Sequence, residues 1–233
     1  MNDNELYKYL VAEYNHPFSG WDFSYLDGRR VTIQHISSWN YMATVRAAMA
    51  QAQSLLDMDT GGGERLAALQ PLPTETCATE NYAPNIPLAR QRLEPLGVKV
   101  YEITDNKRLP FADNQFELII NRHGYYYEPE IKRILKPGHQ LITQQVGGKA
   151  MEQLNSVFGV PYTYADWSLE KAVSQLQAVG LQIIEQREEF LVERFYDVGA
   201  IAYYLKIVPW QVPGFSGYGI VYFRSRRPPR RTP

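Results

Sequence analysis

Cysteine is nearly absent from this sequence, since Cys77 is the only one among 233 residues. One cysteine excludes an intrachain disulfide and leaves no thiolate cluster that could hold zinc. Long apolar runs are missing too, because none approaches the roughly 20 residues that a membrane-spanning helix needs. Residues 1–14 carry acids and tyrosines instead of a basic segment followed by an apolar one, so they do not resemble a secretion signal. We therefore expect a soluble cytoplasmic protein with no membrane partner.

An excess of either charge is also missing. The 24 lysines and arginines nearly balance the 25 aspartates and glutamates, and the formal net charge is −1. No overall field therefore draws the chain to nucleic acid or to an anionic membrane. His16, His35 and His139 have no cysteine or acidic neighbours at ligand spacing, so we predict no metal site. The sequence does not indicate an oligomeric state.

Strand and helix patterns alternate between residues 50 and 146, with turn residues at each change. We predict strands at residues 54–58, 75–80, 98–103, 116–121 and 140–146. Helices are predicted at residues 63–69, 86–93 and 130–135. Strands separated by helices join through right-handed crossovers. The pattern therefore predicts a doubly wound, parallel α/β sheet with helices on both faces.

The flanking regions are less regular. Residues 1–50 are predicted to form an N-terminal helical cap, and residues 147–225 to add helices and closing strands. These helices are predicted at 165–180 and 197–206, and the strands at 181–191 and 219–224. Residues 1–225 would then form one domain around a core at 51–146. We expect the arginine- and proline-rich residues 226–233 to be disordered.

An acidic turn with three consecutive glycines, residues 57–63, follows the first predicted strand. Glycines let the backbone approach a ligand closely, because they adopt angles closed to other residues and carry no side chain. The helix predicted to start near Glu64 would favour a carboxylate or phosphate at its N-terminus. Asp57 and Asp59, in contrast, would attract a cation. The turn therefore favours a ligand that carries both an ammonium and a carboxylate.

Polar residues also follow the later strands. Glu80 closes the second strand, at about the spacing that separates a glycine turn from a ribose-binding acid in dinucleotide folds. Asp105 precedes the turn Leu109-Pro110-Phe111, and the segment Asn121-Arg122-His123-Gly124 ends the fourth strand. The carboxyl edge of an open α/β sheet is where its ligands bind. These residues are therefore candidates for one site.

In their order, these signals resemble the class I S-adenosylmethionine-dependent methyltransferases, particularly the small-domain group with a Leu-Pro-Phe turn before strand four. The resemblance covers roughly residues 50 to 146. In that family the first strand ends in an acid followed by alternating glycines, and Asp59 stands where the first glycine is usual. His139 likewise stands where a second glycine is frequent before strand five. The resemblance implies a Rossmann-like, mostly parallel seven-stranded sheet and S-adenosylmethionine as the cofactor.

The resemblance also implies roles for individual residues. Glu80 would accept from the hydroxyls of the adenosyl ribose, and Asp105 from the adenine amino group. The turn after strand four faces the methionine part of the cofactor and the acceptor in that family, so His123 is a candidate catalytic base. The residues implied to bind the cofactor are Asp57, Asp59, Gly61, Gly63, Glu80, Asp105 and Asn121.

The sequence does not determine the identity of the methyl acceptor. Aromatic residues crowd residues 7–25 and 195–218, and they indicate either an aromatic-walled acceptor pocket or core packing. A small-molecule acceptor is favoured, because the basic tail is the one hint of nucleic acid. The alternatives are a ribosomal or transfer RNA methyltransferase and a non-catalytic S-adenosylmethionine-binding protein. A nicotinamide-dependent oxidoreductase is disfavoured, because acids lie inside the glycine turn.

Overall fold

A computed structural model describes residues 1–34 and 39–215 of the chain. Its strands are β1 (Arg30–Gln34), β2 (Ser54–Met58), β3 (Glu75–Glu80), β4 (Lys99–Glu102), β5 (Phe116–Arg122), β6 (Leu135–Gln144) and β7 (Val192–Phe195). Its helices are α1 (Asp3–Asn15), α2 (Tyr41–Met49), α3 (Glu64–Ala67), α4 (Ile86–Leu93), α5 (Glu128–Ile134), α6 (Glu152–Phe158), α7 (Leu169–Ala178) and α8 (Val198–Ile207).

Strands β2 to β6 form a parallel sheet in the order β4-β3-β2-β5-β6. The predicted bounds of β2 and β3 are confirmed. Every residue of β2 is buried, as a strand covered on both faces requires. β6 begins at Leu135, and the predicted start at residue 140 is therefore wrong. Pro137 and Gly138 lie inside this strand, which proline tolerates because β6 is an edge strand of the described sheet.

Of the predicted closing strands, residues 181–191 form no strand. The other predicted closing strand, 219–224, lies outside the described residues. Leu181 and Ile183 still pack against the core. The described sheet therefore has five strands where the sequence predicts seven, and the α/β class is confirmed. The predicted disordered tail, residues 226–233, also lies outside the described ranges.

Apolar side chains fill both faces of the sheet. One face packs against α5 and α7 through residues such as Ile131 and Leu176. The other packs against α2 and α4 through residues such as Val45 and Leu93. Residues 39–49, part of the predicted N-terminal cap, therefore cover the sheet itself. The predicted helices on both faces are confirmed.

A third apolar cluster joins the two ends of the described chain. It brings Leu26 against Tyr203 and Leu205 of α8, with Phe18 and Phe158 packed around them. The antiparallel pair of β1 and β7, which the sequence does not predict, places Arg30 opposite Phe195. We call α1, β1, α6, β7 and α8 with their loops the cover. Within the described ranges, each helix is too short or too polar to cross a membrane.

Candidate functional site

The predicted site residues gather at the carboxyl edge of the sheet, around β2. β2 lies between β3 and β5, so the strand order reverses at β2. Ligands of open α/β sheets bind in the crevice at the carboxyl end of such a reversal. Asn121 lies beside Met58 in register and donates to its carbonyl oxygen at 3.4 Å. The side-chain oxygen of Asn121 also accepts from Gln145 at 2.5 Å. Asn121 therefore fixes the end of β5 against the start of the glycine turn.

Three residues of the turn have left-handed backbone angles: Asp59 (φ 54°), Gly61 (φ 67°) and Gly63 (φ 81°). Aspartate adopts this conformation more readily than most residues. At Gly63 a Cβ atom would lie 2.7 Å from Cγ of Leu93, so glycine is required for the turn to pack against α4. The following helix, α3, has only four residues, fewer than the predicted 63–69. The N-terminus of α3 therefore does not favour an anion as predicted, because so short a helix has little dipole of its own.

Glu80 lies at the end of β3 and is 2% exposed. Its carboxylate accepts from the backbone N–H groups of Gly61 at 2.6 Å, Tyr82 at 2.7 Å and Asn81 at 3.1 Å. Burial raises the pKa of Glu80, and these three hydrogen bonds oppose the shift. A carboxylate can accept about four hydrogen bonds, so one more donor fits at Oε2. The side chain of the buried Asn85 lies beside the carboxylate and also opposes the rise of its pKa.

Asp57 and Asp59 form an acidic group with Glu80. Oδ2 of Asp57 accepts from the hydroxyl of Thr60 at 2.6 Å. Burial raises the pKa of both aspartates to about 7, and the charge of Glu80 adds to each shift. None of the ion pairs in the described ranges includes any of these three carboxylates. A cation beside them would therefore be stabilised.

Asn106 is a site residue that the sequence analysis misses. It is 2% exposed, and its amide nitrogen donates to Oδ2 of Asp59 at 3.2 Å and to the carbonyl of Tyr125 at 2.8 Å. The predicted adenine ligand, Asp105, has an exposed side chain that accepts from the backbone N–H of Lys107 at 2.8 Å. Which of two adjacent polar residues faces the turn depends on the loop path, and no sequence signal distinguishes them.

Arg122, the last residue of β5, adds positive charge at the sheet edge. Arg122 lies over the ring of Tyr41 with 6.0 Å between guanidinium carbon and ring centre, and donates to Gln144 at 2.8 Å. Burial and the charge of Arg65 lower the pKa of Arg122 to about 10. The buried hydroxyl of Tyr41 makes no hydrogen bond and feels the charges of Asp57, Arg122 and Arg65. The edge thus has an acidic side and a basic side.

His123 follows Arg122 with a left-handed backbone (φ 65°), and its N–H donates to the carbonyl of Gln144 at 2.8 Å. Part of the imidazole surface is exposed. The surrounding protein and the charges of Arg122 and Arg65 lower its pKa. The ring is therefore neutral near pH 7, but its lowered pKa also makes it a weak base, because a general base works best when its pKa lies near the working pH.

Aromatic residues of the cover reach the glycine turn. A Cβ atom at Gly61 would lie 3.3 Å from Cδ1 of Trp21. The ring of Trp21 lies 6.4 Å from that of Tyr82 and 5.9 Å from that of Trp210, measured between centroids. Trp21 and Tyr82 are 38% and 48% exposed, whereas Tyr203 is buried in the cover. The aromatic residues therefore divide between wall and packing roles. No metal-binding group of histidine, cysteine or acidic residues occurs in the part of the chain that the structure describes.

Comparison with known proteins agrees with this geometry. Residues 56–143 match a family described as a methyltransferase domain. No curated protein matches the chain. The match identifies residues 56–143 as a methyltransferase domain and supports the predicted methyltransferase enzyme. Its cofactor is S-adenosylmethionine, and both sequence-based predictions are confirmed.

Solved structures share the fold. A candidate methyltransferase from Bacillus halodurans C-125 has 21% identity and a TM-score of 0.50, covering 62% of this chain and 68% of its own. A Deinococcus radiodurans R1 protein described as functionally unknown has 17% identity and a TM-score of 0.58, covering 88% and 83%. A candidate methyltransferase in complex with the Haloferax volcanii Trm112 activator has 20% identity and a TM-score of 0.52, covering 76% and 77%. At these identities the likeness supports the fold alone.

The residues present at the sheet edge fit the cofactor. S-adenosylmethionine offers ribose hydroxyls and an ammonium as donors, and a sulfonium as a second positive charge. The edge offers a remaining acceptor position on Glu80 and buried oxygens of Asp59 and Asn106 that have no hydrogen-bond partner. The basic side near Arg122 suits the carboxylate of the methionine part.

Proposed function

We propose that the enzyme transfers the methyl group of S-adenosylmethionine to a small-molecule acceptor in the cytoplasm. The donor is held by the predicted residues Asp57, Asp59, Gly61, Gly63, Glu80, Asp105 and Asn121, together with Asn106. Glu80 accepts from a ribose hydroxyl, and Asp57 and Asp59 face positive charge. Arg122 lies where it can pair with the methionine carboxylate.

The bound cofactor supplies a sulfonium, which is already an activated methyl donor. The chain's main contribution is to hold the acceptor in line with that methyl group and to exclude water. For an acceptor that must lose a proton, the neutral ring of His123 is the candidate base, and its lowered pKa restricts it to acceptors whose proton is readily lost. An acceptor that is already nucleophilic needs no base, and His123 then has only a positioning role.

The observation that favours a small acceptor is the contact of Trp21 with the turn at Gly61. Trp21 and Trp210 come from the two ends of the described chain, and the ring of Trp21 also lies near that of Tyr82 after β3. Trp21 and Tyr82 are exposed, and Trp210 is half-buried. Aromatic walls with a few placed polar groups are typical of small-molecule sites. A long nucleic acid strand would instead require a basic surface along its path.

The acceptor class is tested with S-adenosylmethionine tritiated at the methyl group. The enzyme is incubated separately with a dialysable metabolite fraction, with total RNA and with a protein fraction. We expect label in the dialysable fraction, and much less label with the Glu80→Ala variant. Label in RNA would overturn the small-molecule proposal. Donor binding without transfer to any of the three fractions would favour the binding protein instead.

A further inference from the structure

Asp59 occupies an unusual position in the glycine turn. Its carboxylate projects over Gly124, where an added Cβ atom would lie 2.5 Å from Oδ2 and 2.6 Å from Cβ of Asp59. A side chain at position 124 and the carboxylate at position 59 therefore compete for one space. Because position 124 is glycine, the side chain of Asp59 can lie beside the end of β5 without a steric clash.

The surroundings of Asp59 lack positive charge. Its backbone N–H donates to Thr79 at 3.3 Å, and Oδ2 accepts from Asn106 at 3.2 Å. Oδ1 is buried and makes no hydrogen bond. The neighbouring acids Asp57 and Glu80 disfavour its negative charge. A buried carboxylate in such surroundings is stabilised by a nearby cation.

Asn106 provides an independent sign that a donor is missing. Both neighbours of its amide nitrogen, the carboxylate of Asp59 and the carbonyl of Tyr125, are acceptors. The amide orientation is thereby determined, because reversing it would place oxygen against oxygen. The buried Oδ1 of Asn106 is left without a partner. Asp59 and Asn106, which are hydrogen-bonded to each other, thus each keep a buried acceptor oxygen without a partner, and such a pair suits a positively charged group.

We propose that Asp59, together with Asn106, selects for positive charge in the bound donor. The enzyme then holds S-adenosylmethionine more tightly than its product S-adenosylhomocysteine. This inference rests on the proposed donor site. Both ligands carry the same ammonium and carboxylate, but only S-adenosylmethionine carries the sulfonium charge. The carboxylate of Asp59 therefore favours the substrate form and promotes release of the spent cofactor.

The test is calorimetric titration of both ligands at pH 8 into the wild type and matched variants. Asp59→Asn keeps the shape and removes the charge, and Asp59→Gly introduces the usual family residue. Glu102→Gln removes an acid from the same edge of the sheet, where it is 60% exposed on its side chain, and serves as the control. We expect the preference for S-adenosylmethionine to fall about tenfold in both Asp59 variants. The control should keep the wild-type preference.

An unchanged preference in Asp59→Asn would overturn the inference while leaving the proposed donor site intact. Failure of the wild type to bind either ligand would instead overturn the donor site. A second measurement needs no variant: titration at pH 7 in buffers of different ionisation enthalpy gives the number of protons released. S-adenosylmethionine should release more than S-adenosylhomocysteine, because its extra charge lowers the pKa of Asp59, Asp57 and Glu80 together. Equal release would contradict charge selection.

Discussion

Acidic side chains have opposite pKa shifts at the sheet edge and in the cover. At the edge, burial without a cationic partner raises the pKa of Asp57 and Asp59 to about 7. In the cover, hydrogen bonds from Arg29 lower the pKa of Asp197 to about 2. Arg29 donates to Asp197 at 2.7 Å and to Glu13 at 2.9 Å. In the cover, Arg29 of the same chain pairs with the acids, whereas Asp57 and Asp59 at the sheet edge form no ion pair within the described residues.

The strongest test of this comparison is Glu80→Ala. The change removes the acceptor of three backbone N–H groups and the proposed ribose ligand. We expect cofactor affinity to fall about 100-fold or more, since hydrogen bonds to a charged group are worth about 1.5 to 3 kcal/mol each. Calorimetry with S-adenosylmethionine measures the loss. Glu80→Gln, which keeps one acceptor oxygen, should lose less, and wild-type affinity in Glu80→Ala would show that the donor binds elsewhere.

Gly124→Ala tests whether Asp59 and Gly124 share one space. The added methyl group would contact the carboxylate of Asp59 and, at 2.9 Å, the amide nitrogen of Asn121. We expect a loss of about 2 kcal/mol in the free energy of unfolding, as for overpacked sites, measured by urea denaturation. Asp59→Gly in the same chain should restore part of the stability. Equal losses with and without Asp59→Gly would rule out the competition.

The pH dependence of donor affinity is the third test. Asp57 and Asp59 change charge near pH 7, and a cationic ligand binds their deprotonated forms better. Affinity for S-adenosylmethionine should therefore rise about tenfold from pH 6 to pH 8 and then level off.

Without ligand, the free energy of unfolding should show the opposite trend and fall as pH rises. Because the folded pKa values lie above the unfolded value of about 3.9, the free energy of unfolding falls as pH rises from about 4 to 7. Calorimetry and denaturation at several pH values measure both trends, and flat profiles would contradict the raised pKa values.

Asp197→Ala tests whether an acid of the cover contributes to stability without affecting donor binding. Asp197 caps α8 by accepting from Ala200 at 2.7 Å and pairs with Arg29. We expect the free energy of unfolding to fall by about 1 to 2 kcal/mol, from the lost cap and a partly exposed ion pair. Donor affinity should stay within about twofold of the wild type by calorimetry. Asp197→Asn, which keeps a capping oxygen, should lose less stability, and a large loss of donor affinity would show that the two regions are coupled.

The sequence predicts local features well where one residue pattern decides them. The bounds of β2 and β3 are two such features, and Asp197 and Ser168 cap helices near their predicted starts. Pairing over long distances is not predictable in this way. β1 and β7 are four or five residues long, carry charges, and meet across most of the chain.

Some residues of the candidate site are predictable from the sequence and others are not. Glu80 and Asp57 are predictable because the ends of parallel strands must lie at one edge. Asn106 is not, because the path of the loop after β4 decides whether position 105 or 106 faces the turn. The close approach of Asp59 to Gly124 is also not predictable from the sequence, because the two residues are far apart in the chain.

The placement of Trp21 against Gly61 has a spectroscopic consequence. The chain has four tryptophans, and two of them, Trp21 and Trp210, lie within 5.9 Å of each other beside the glycine turn. A molecule that approaches this turn changes the polarity around both indoles. Intrinsic fluorescence of the unlabelled protein therefore reports occupancy of the sheet edge, and Trp21→Phe separates the signal of the turn from that of the remaining tryptophans.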